Sequence, residues 1–107
     1  QSAVAMLEEA RRFRDRETDI PQNYLTKAIE VTDANAVLFD AANHFVGCIP
    51  GIHEVLHRQG LLEGTWCLDS DEVLSVGQDS EIDRICEAYP YMRDDKFIAE
   101  NLDRWLS

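Results

Sequence analysis

The chain has 107 residues, 45% hydrophobic and 29% charged, with 21 Asp or Glu against ten Lys or Arg and a formal net charge of −11. That composition belongs to an ordinary globular domain, or to part of one, and not to a disordered segment. The acidic balance argues against nucleic acid and anionic membrane surfaces as partners, since both need a basic patch, and no apolar run approaches the roughly 20 residues that span a bilayer.

No signal-peptide pattern is seen. Because the first residue is Gln1 and not Met, a cut or processed start is expected. Cys48, Cys67 and Cys86 are odd in number and form no C-x-x-C pair. Reduced, buried thiols in a cytoplasmic protein are therefore expected, not a disulfide framework.

Ser2 to Arg16 is the first expected helix. Ala3, Met6, Leu7, Ala10 and Phe13 recur at helical spacing, with charged residues between them. Pro21, preceded by Asp19 and Ile20, suits the first turn of a second helix. Its periodicity runs to about Phe45. Tyr24, Ala28, Val31, Leu38, Ala42 and Phe45 make one stripe, and Leu25, Ile29, Ala36 and Phe39 make a neighbouring one. Two stripes predict a wide apolar face and the most buried helix of the domain. Asn35 interrupts the first stripe, as a partnered buried amide or as a wet edge.

Gly47 reads as a C-cap. A third helix is predicted over Pro50 to Gln59, closed by Gly60. Leu61 to Leu74 lacks a helical period, and Leu62, Trp66, Leu68 and Leu74 are expected to anchor it as a packed loop. Ser75 and Gln78 form a capping-box spacing that opens a fourth helix reaching Tyr89, with Ile82, Ile85, Cys86 and Tyr89 inward and Pro90 as its stop. Asp94 or Asp95 caps a last helix with Phe97, Ile98, Leu102, Trp105 and Leu106 inward. No strand pattern occurs. The fold class is thus all-α: one domain over residues 1–107, with about five helices in an irregular bundle.

One short catalytic motif is present, His53-Glu54-Val55-Leu56-His57, which matches H-E-x-x-H. On a helix the two imidazoles at i and i+4 share a face and can bind one Zn²⁺, with Glu54 as general base on a metal-bound water. Gly60 and Glu63 extend the motif toward a longer zinc-protease spacing, but that pattern has His where Glu63 stands. His44 and Cys48 lie near enough in sequence to join His53 and His57 in a four-ligand set, although a helix boundary intervenes and an inert buried Cys48 is the plainer reading. No nucleophile elbow frames a serine, and no Gly-rich phosphate loop occurs.

The run VTDANAVLFDAANHFVGCIPGIHEVLHRQGLLEGTWCLD, followed by Leu74-Ser75-Val76-Gly77-Gln78 and Glu81-Ile82-Asp83-Arg84, resembles the C-terminal part of dihydrodipicolinate synthase-like proteins, a family that includes N-acetylneuraminate lyase. The resemblance extends from Leu25 to Leu106, and Ala3 to Arg12 is similar to the end of the last barrel helix. Where His57 stands, the relatives usually carry arginine, so the H-E-x-x-H match is a departure from their pattern. The resemblance implies a parent fold of a (β/α)₈ barrel with a helical C-terminal extension. It implies class I aldolase chemistry, in which a lysine on a barrel strand forms a Schiff base with a 2-keto acid such as pyruvate. Those residues lie upstream of the matched region. Lys27 and Lys96, the two lysines here, do not align with the Schiff-base position. No catalytic residue and no cofactor carries over. What the resemblance implies is a non-catalytic helical domain with a packing and oligomerisation role, its partner a second copy in a homodimer or an upstream barrel. A small zinc hydrolase built on His53, Glu54 and His57, and a free-standing self-associating helical module, are the alternatives.

Overall fold

The computed structural model describes residues 1–107 and is all-helical, with five α-helices, two short 3₁₀ turns and no strand. The helices are α1 (Ser2–Arg16), α2 (Asn23–Leu38), α3 (Cys48–Arg58), α4 (Gln78–Ala88) and α5 (Asp95–Leu106), with the 3₁₀ turns at Ala41–Asn43 and Pro90–Met92. No helix is long and apolar enough to cross a membrane.

The core is small. Val37 of α2 and Ile82 and Ile85 of α4 are buried together, and Ala34, Leu38, Val55, Leu74, Cys86 and Tyr89 pack around them. Helix α4 supplies Gln78, Ile82 and Ile85 to the interior and α2 only Val37, so the expectation that α2 would be the most buried helix is corrected. The face of α2 that packs inward is centred on Val37 and Ala34, which neither expected stripe contains, with Val31 and Leu38 of the first stripe beside them. Leu25 and Ile29 of the other stripe are 68% and 69% exposed. Asn35 is exposed too, a wet edge and not a buried amide. Helix α5 contributes Ile98 to the interior, whereas Phe97, Trp105 and Leu106, expected inward, lie at the surface. Phe97 and Trp105 instead stack edge-on, 5.6 Å between centroids.

Helix α1 is held mainly at its two ends and has no buried residue. Its first turn is tied to the Pro90–Met92 turn: the Ser2 N–H donates to Asp94 Oδ1 at 3.1 Å and Ser2 Oγ donates to the Met92 carbonyl at 3.1 Å. Near its other end Phe13 packs edge-on against Tyr24, 5.1 Å between centroids. The chain is correspondingly extended, with a radius of gyration of 15.9 Å, against roughly 13 Å for a compact domain of this length.

Helix α2 ends at Leu38 and does not run to Phe45. The reason is a reversal in which Asp40, His44 and Phe45 all take positive φ, at 57°, 54° and 64°. Such angles end a right-handed helix, and aspartate tolerates them better than most residues. Gly47 then serves as the N-cap of α3, not as the C-cap of α2. Pro50 falls within the first turn of α3, where its missing N–H removes no bond. Gly60 closes α3 as the spacing predicts. Its φ is 78°, its N–H bonds the His57 carbonyl at 3.0 Å, and the Leu61 N–H bonds the Leu56 carbonyl at 2.9 Å, which is a Schellman closure. In the loop, Leu62 and Leu74 are half-buried, but Trp66 and Leu68 are exposed and do not anchor it.

A buried polar knot joins the reversal to α4. Asp40 Oδ2 accepts from the Gly47 N–H at 2.8 Å and from Ser75 Oγ at 2.5 Å, while Oδ1 accepts from Asn43 Nδ2 at 2.8 Å. Gln78 Nε2 donates to the carbonyls of Gly47 at 2.9 Å and Val37 at 3.3 Å, and Gln78 Oε1 accepts the Ser75 N–H at 3.0 Å. Only the second half of the expected capping box forms, because the Ser75 hydroxyl is drawn to Asp40 and Gly77 becomes the N-cap. Burial pushes the Asp40 carboxyl up, but the donors Asn43, Ser75 and Gly47 outweigh it and hold the group below the usual carboxylate range.

Two outcomes test the knot. A Cβ on Gly51 would collide with the Leu38 carbonyl oxygen and lie 2.7 Å from Gln78 Nε2, so Gly51→Ala should destabilise the chain by about 2 kcal/mol in urea denaturation. Because the folded-state pKa of Asp40 is depressed, its contribution is complete above the unfolded value of about 4 and is lost as pH falls through the folded one. Asp40→Asn should thus lower stability at neutral pH and flatten the acid limb of a stability-against-pH curve.

Candidate functional site

Helix α3 carries His53 and His57 one turn apart, as their spacing requires. His57 Nδ1 lies 3.0 Å from the Leu62 carbonyl. A carbonyl only accepts, so in this contact Nδ1 is the donor. His53 Nδ1 lies 3.7 Å from Cys67 Sγ. Both histidines thereby tie α3 to the 61–74 loop. Glu54 Oε1 accepts from Arg58 Nε at 2.6 Å, and Arg58 Nη1 donates to Asp83 Oδ1 at 2.5 Å. Glu54 is thus held in an ion pair that reaches α4, instead of standing free to take a proton from water.

The chain places no three of its His, Cys, Asp or Glu side chains to share one ion, so His44 and Cys48 do not complete a set with His53 and His57. Catalytic zinc uses three protein ligands and an open position, and the residues present do not fit that requirement. The Cys67–His53 contact resembles a nucleophile and its base in outline. Burial, and then the carboxylates of Glu72 and Asp69, push the Cys67 thiol up, away from the thiolate such chemistry needs. Lys96 is exposed, with its Nζ 3.9 Å from Glu100. The Lys27 Nζ lies over the Tyr24 ring, 4.8 Å from its centroid. Neither lysine sits in the desolvated pocket that activates an amine for Schiff-base formation.

The carboxylates beside the core are engaged as well. Asp33 on α2 accepts both Nη atoms of Arg84, each at 2.8 Å, and the Tyr89 hydroxyl at 2.5 Å. The Arg84 guanidinium and the Tyr89 hydroxyl hold Asp33 well below the usual carboxylate range. Glu30, on the same flank of α2, accepts the Tyr91 hydroxyl. Burial, and then Glu30, push Tyr91 up to about 12.

One concavity stands out, a groove of about 540 Å³ between α1, α2, α3 and α4. Met6, Val31, Leu38, Val55 and Ile85 form its apolar walls, and Arg58, Asp83, Arg93 and Asp95 stand at its edge. The edge charges pair among themselves: Arg58 with Asp83, and Arg93 with Asp95. The groove therefore has the size of a ligand pocket, with its edge charges paired and the side chains of Asn35 and Glu87 left without a partner among its lining. Sequence reading missed the groove. Its one signal is Asn35, the polar break in the inner stripe of α2, which lines it. Sequence reading also passed over Asp40, which looks like one more charged residue on a helix until the chain reverses around it.

Comparison with protein-family models, with curated proteins and with solved structures finds no match to this chain.

The geometry assigns the histidines a structural role, and two measurements check it. Protein prepared without added metal should contain far less than one zinc per chain by elemental analysis. His57→Ala should speed amide exchange across Leu61–Leu74 while leaving α4 protected. About one zinc per chain, lost in His53→Ala or His57→Ala, would restore the hydrolase reading.

Proposed function

We propose that this chain is a non-catalytic helical domain whose role is packing and subunit assembly, of the kind found at the C-terminal end of dihydrodipicolinate synthase-like aldolases. The observation that carries the reading is its surface. The chain exposes 7838 Å² for a mass of 12.2 kDa. A compact monomer of that mass exposes roughly 6,050 Å². The excess of roughly 1,800 Å² is about twice the roughly 800 Å² that each partner gives to a standard protein–protein interface. Much of what is exposed is apolar, including Val4, Leu7, Leu25, Ile29, Phe45 and Trp66. Leu25 and Ile29, one turn apart on α2, and Val4 and Leu7, one turn apart on α1, are apolar positions suited to being covered.

A packing role also agrees with the polar side chains that bond one another between helices, Asp33 with Arg84 and Arg58 with Asp83 among them. In the parent chemistry that the sequence resemblance implies, the Schiff-base lysine and the carboxylate-binding loop belong to a barrel. The helical part contributes contacts. A homodimer with two-fold symmetry covers an exposed apolar face by meeting it with its own copy.

At micromolar concentration, sedimentation equilibrium should give a mass near twice 12.2 kDa, and a clean monomer would overturn the proposal. Borohydride treatment with pyruvate should leave no covalent adduct on Lys27 or Lys96. A stoichiometric adduct on either would point to catalysis within this chain.

A further inference from the structure

The outer stripe of α2 has a spacing of its own. Leu25, Ile29, Thr32, Ala36 and Phe39 are separated by four, three, four and three residues. That is the alternation of a coiled-coil seam, narrower than the broad stripe by which a helix packs onto its own core. The inner stripe of the same helix, Val31, Ala34, Val37 and Leu38, faces the core and the groove. The outer stripe touches no other part of the chain closely enough to be buried: Leu25, Ile29, Thr32, Ala36 and Phe39 are all exposed.

We infer that α2 pairs antiparallel with α2 of a second copy of this chain, about a two-fold axis crossing the helix between Glu30 and Val31. The inference rests on the assembly role proposed above and assigns it a surface, a partner and a register.

The register follows from side-chain volume. About that axis Leu25 faces Ala36 of the second copy, and Ile29 faces Thr32. Each layer then sets a large residue against a small one, which fills the space evenly. A parallel pair would put Ala36 on Ala36 and Thr32 on Thr32, leaving a gap at one end and crowding at the other. Thr32 is suited to burial, because its hydroxyl already donates to the Ala28 carbonyl at 2.8 Å and carries no unmet donor into the seam.

Charge permits the contact despite the net −11. The residues flanking the seam are Thr26, Ala28, Asp33 and Asn35, so one charge alone lies beside it. That charge, Asp33, is already paired with Arg84, and in the antiparallel register it meets Thr26 and not its own copy. Area permits it also. Each partner in a standard interface contributes about 800 Å², within the roughly 1,800 Å² by which this chain exceeds a compact monomer.

Cross-linking tests the register. Chains carrying Leu25→Cys and chains carrying Ala36→Cys are mixed and oxidised, with the unmodified chain as the control for Cys48, Cys67 and Cys86. The mixture should give a disulfide-linked dimer. Leu25→Cys alone should not, since in the antiparallel register its two copies lie about 16 Å apart along the axis. Ile29→Asp should weaken the dimer roughly a hundredfold or more while keeping the native circular dichroism spectrum, because the site is exposed in the single chain. A disulfide between two Leu25→Cys chains at that position, or a dimer undiminished by Ile29→Asp, overturns this inference and leaves self-association standing. An unmodified chain that sediments as a monomer overturns both.

Discussion

Everything downstream of α2 depends on how the chain turns at Asp40. This buried carboxylate draws a backbone N–H, a serine hydroxyl and an asparagine amide from three places in the sequence. Gln78, also buried, closes the other side by bonding the Val37 and Gly47 carbonyls. Together they set the end of α2, the start of α3 and the start of α4 at one point. An ionised group this buried is tolerated only because its oxygens are satisfied. Losing a donor would leave a buried acceptor unmet, at a cost of about 1–3 kcal/mol. The two glycines there follow from the same crowding, since neither Gly47 nor Gly51 has space for a Cβ.

The apolar core that the knot organises is thin. It depends on one face of α4 against one face of α2, with α1 reaching across from its two ends and a groove left beneath. A chain of this size buries only a modest share of its surface on folding, and this one buries less than a compact chain would. Polar links on the surface help to hold α2 against α4, through Asp33 with Arg84 and Tyr89 and through Glu30 with Tyr91. Exposed ion pairs contribute little individually, so the apolar area left outside the core is the largest favourable term still available. The assembly role proposed above draws on that imbalance.

On α3 the H-E-x-x-H side chains are engaged in the same way, each by a neighbour. The H-E-x-x-H residues have the right spacing, yet each meets a neighbour first: His57 the Leu62 carbonyl, His53 the Cys67 sulfur and Glu54 the Arg58 guanidinium. A motif of three fixed letters specifies which side chains share a helix face. It does not specify what the next loop brings to them, and here the 61–74 loop brings a carbonyl and a thiol instead of a third ligand.

Local rules made much of the architecture legible. Helical periodicity located α1, α4 and α5, and Gly60 and Pro90 marked the stops, because these signals act within one or two turns of backbone. The all-α class followed from the same periodicities and from the absence of alternation. The heptad spacing of Leu25, Ile29, Thr32, Ala36 and Phe39 is likewise a property of sequence alone. Tertiary structure decided the rest. Periodicity carried α2 on to Phe45, but a long-range bond network stops it at Leu38, and no local pattern shows that Ser75 and Gln78 will reach Asp40 and Gly47. Which face of α2 is inside was equally undetermined, since the helix is apolar on several sides. Ile82 and Ile85 pack on Val37, which neither expected stripe contains, and that contact between residues about 45 positions apart left Leu25 and Ile29 to face solvent.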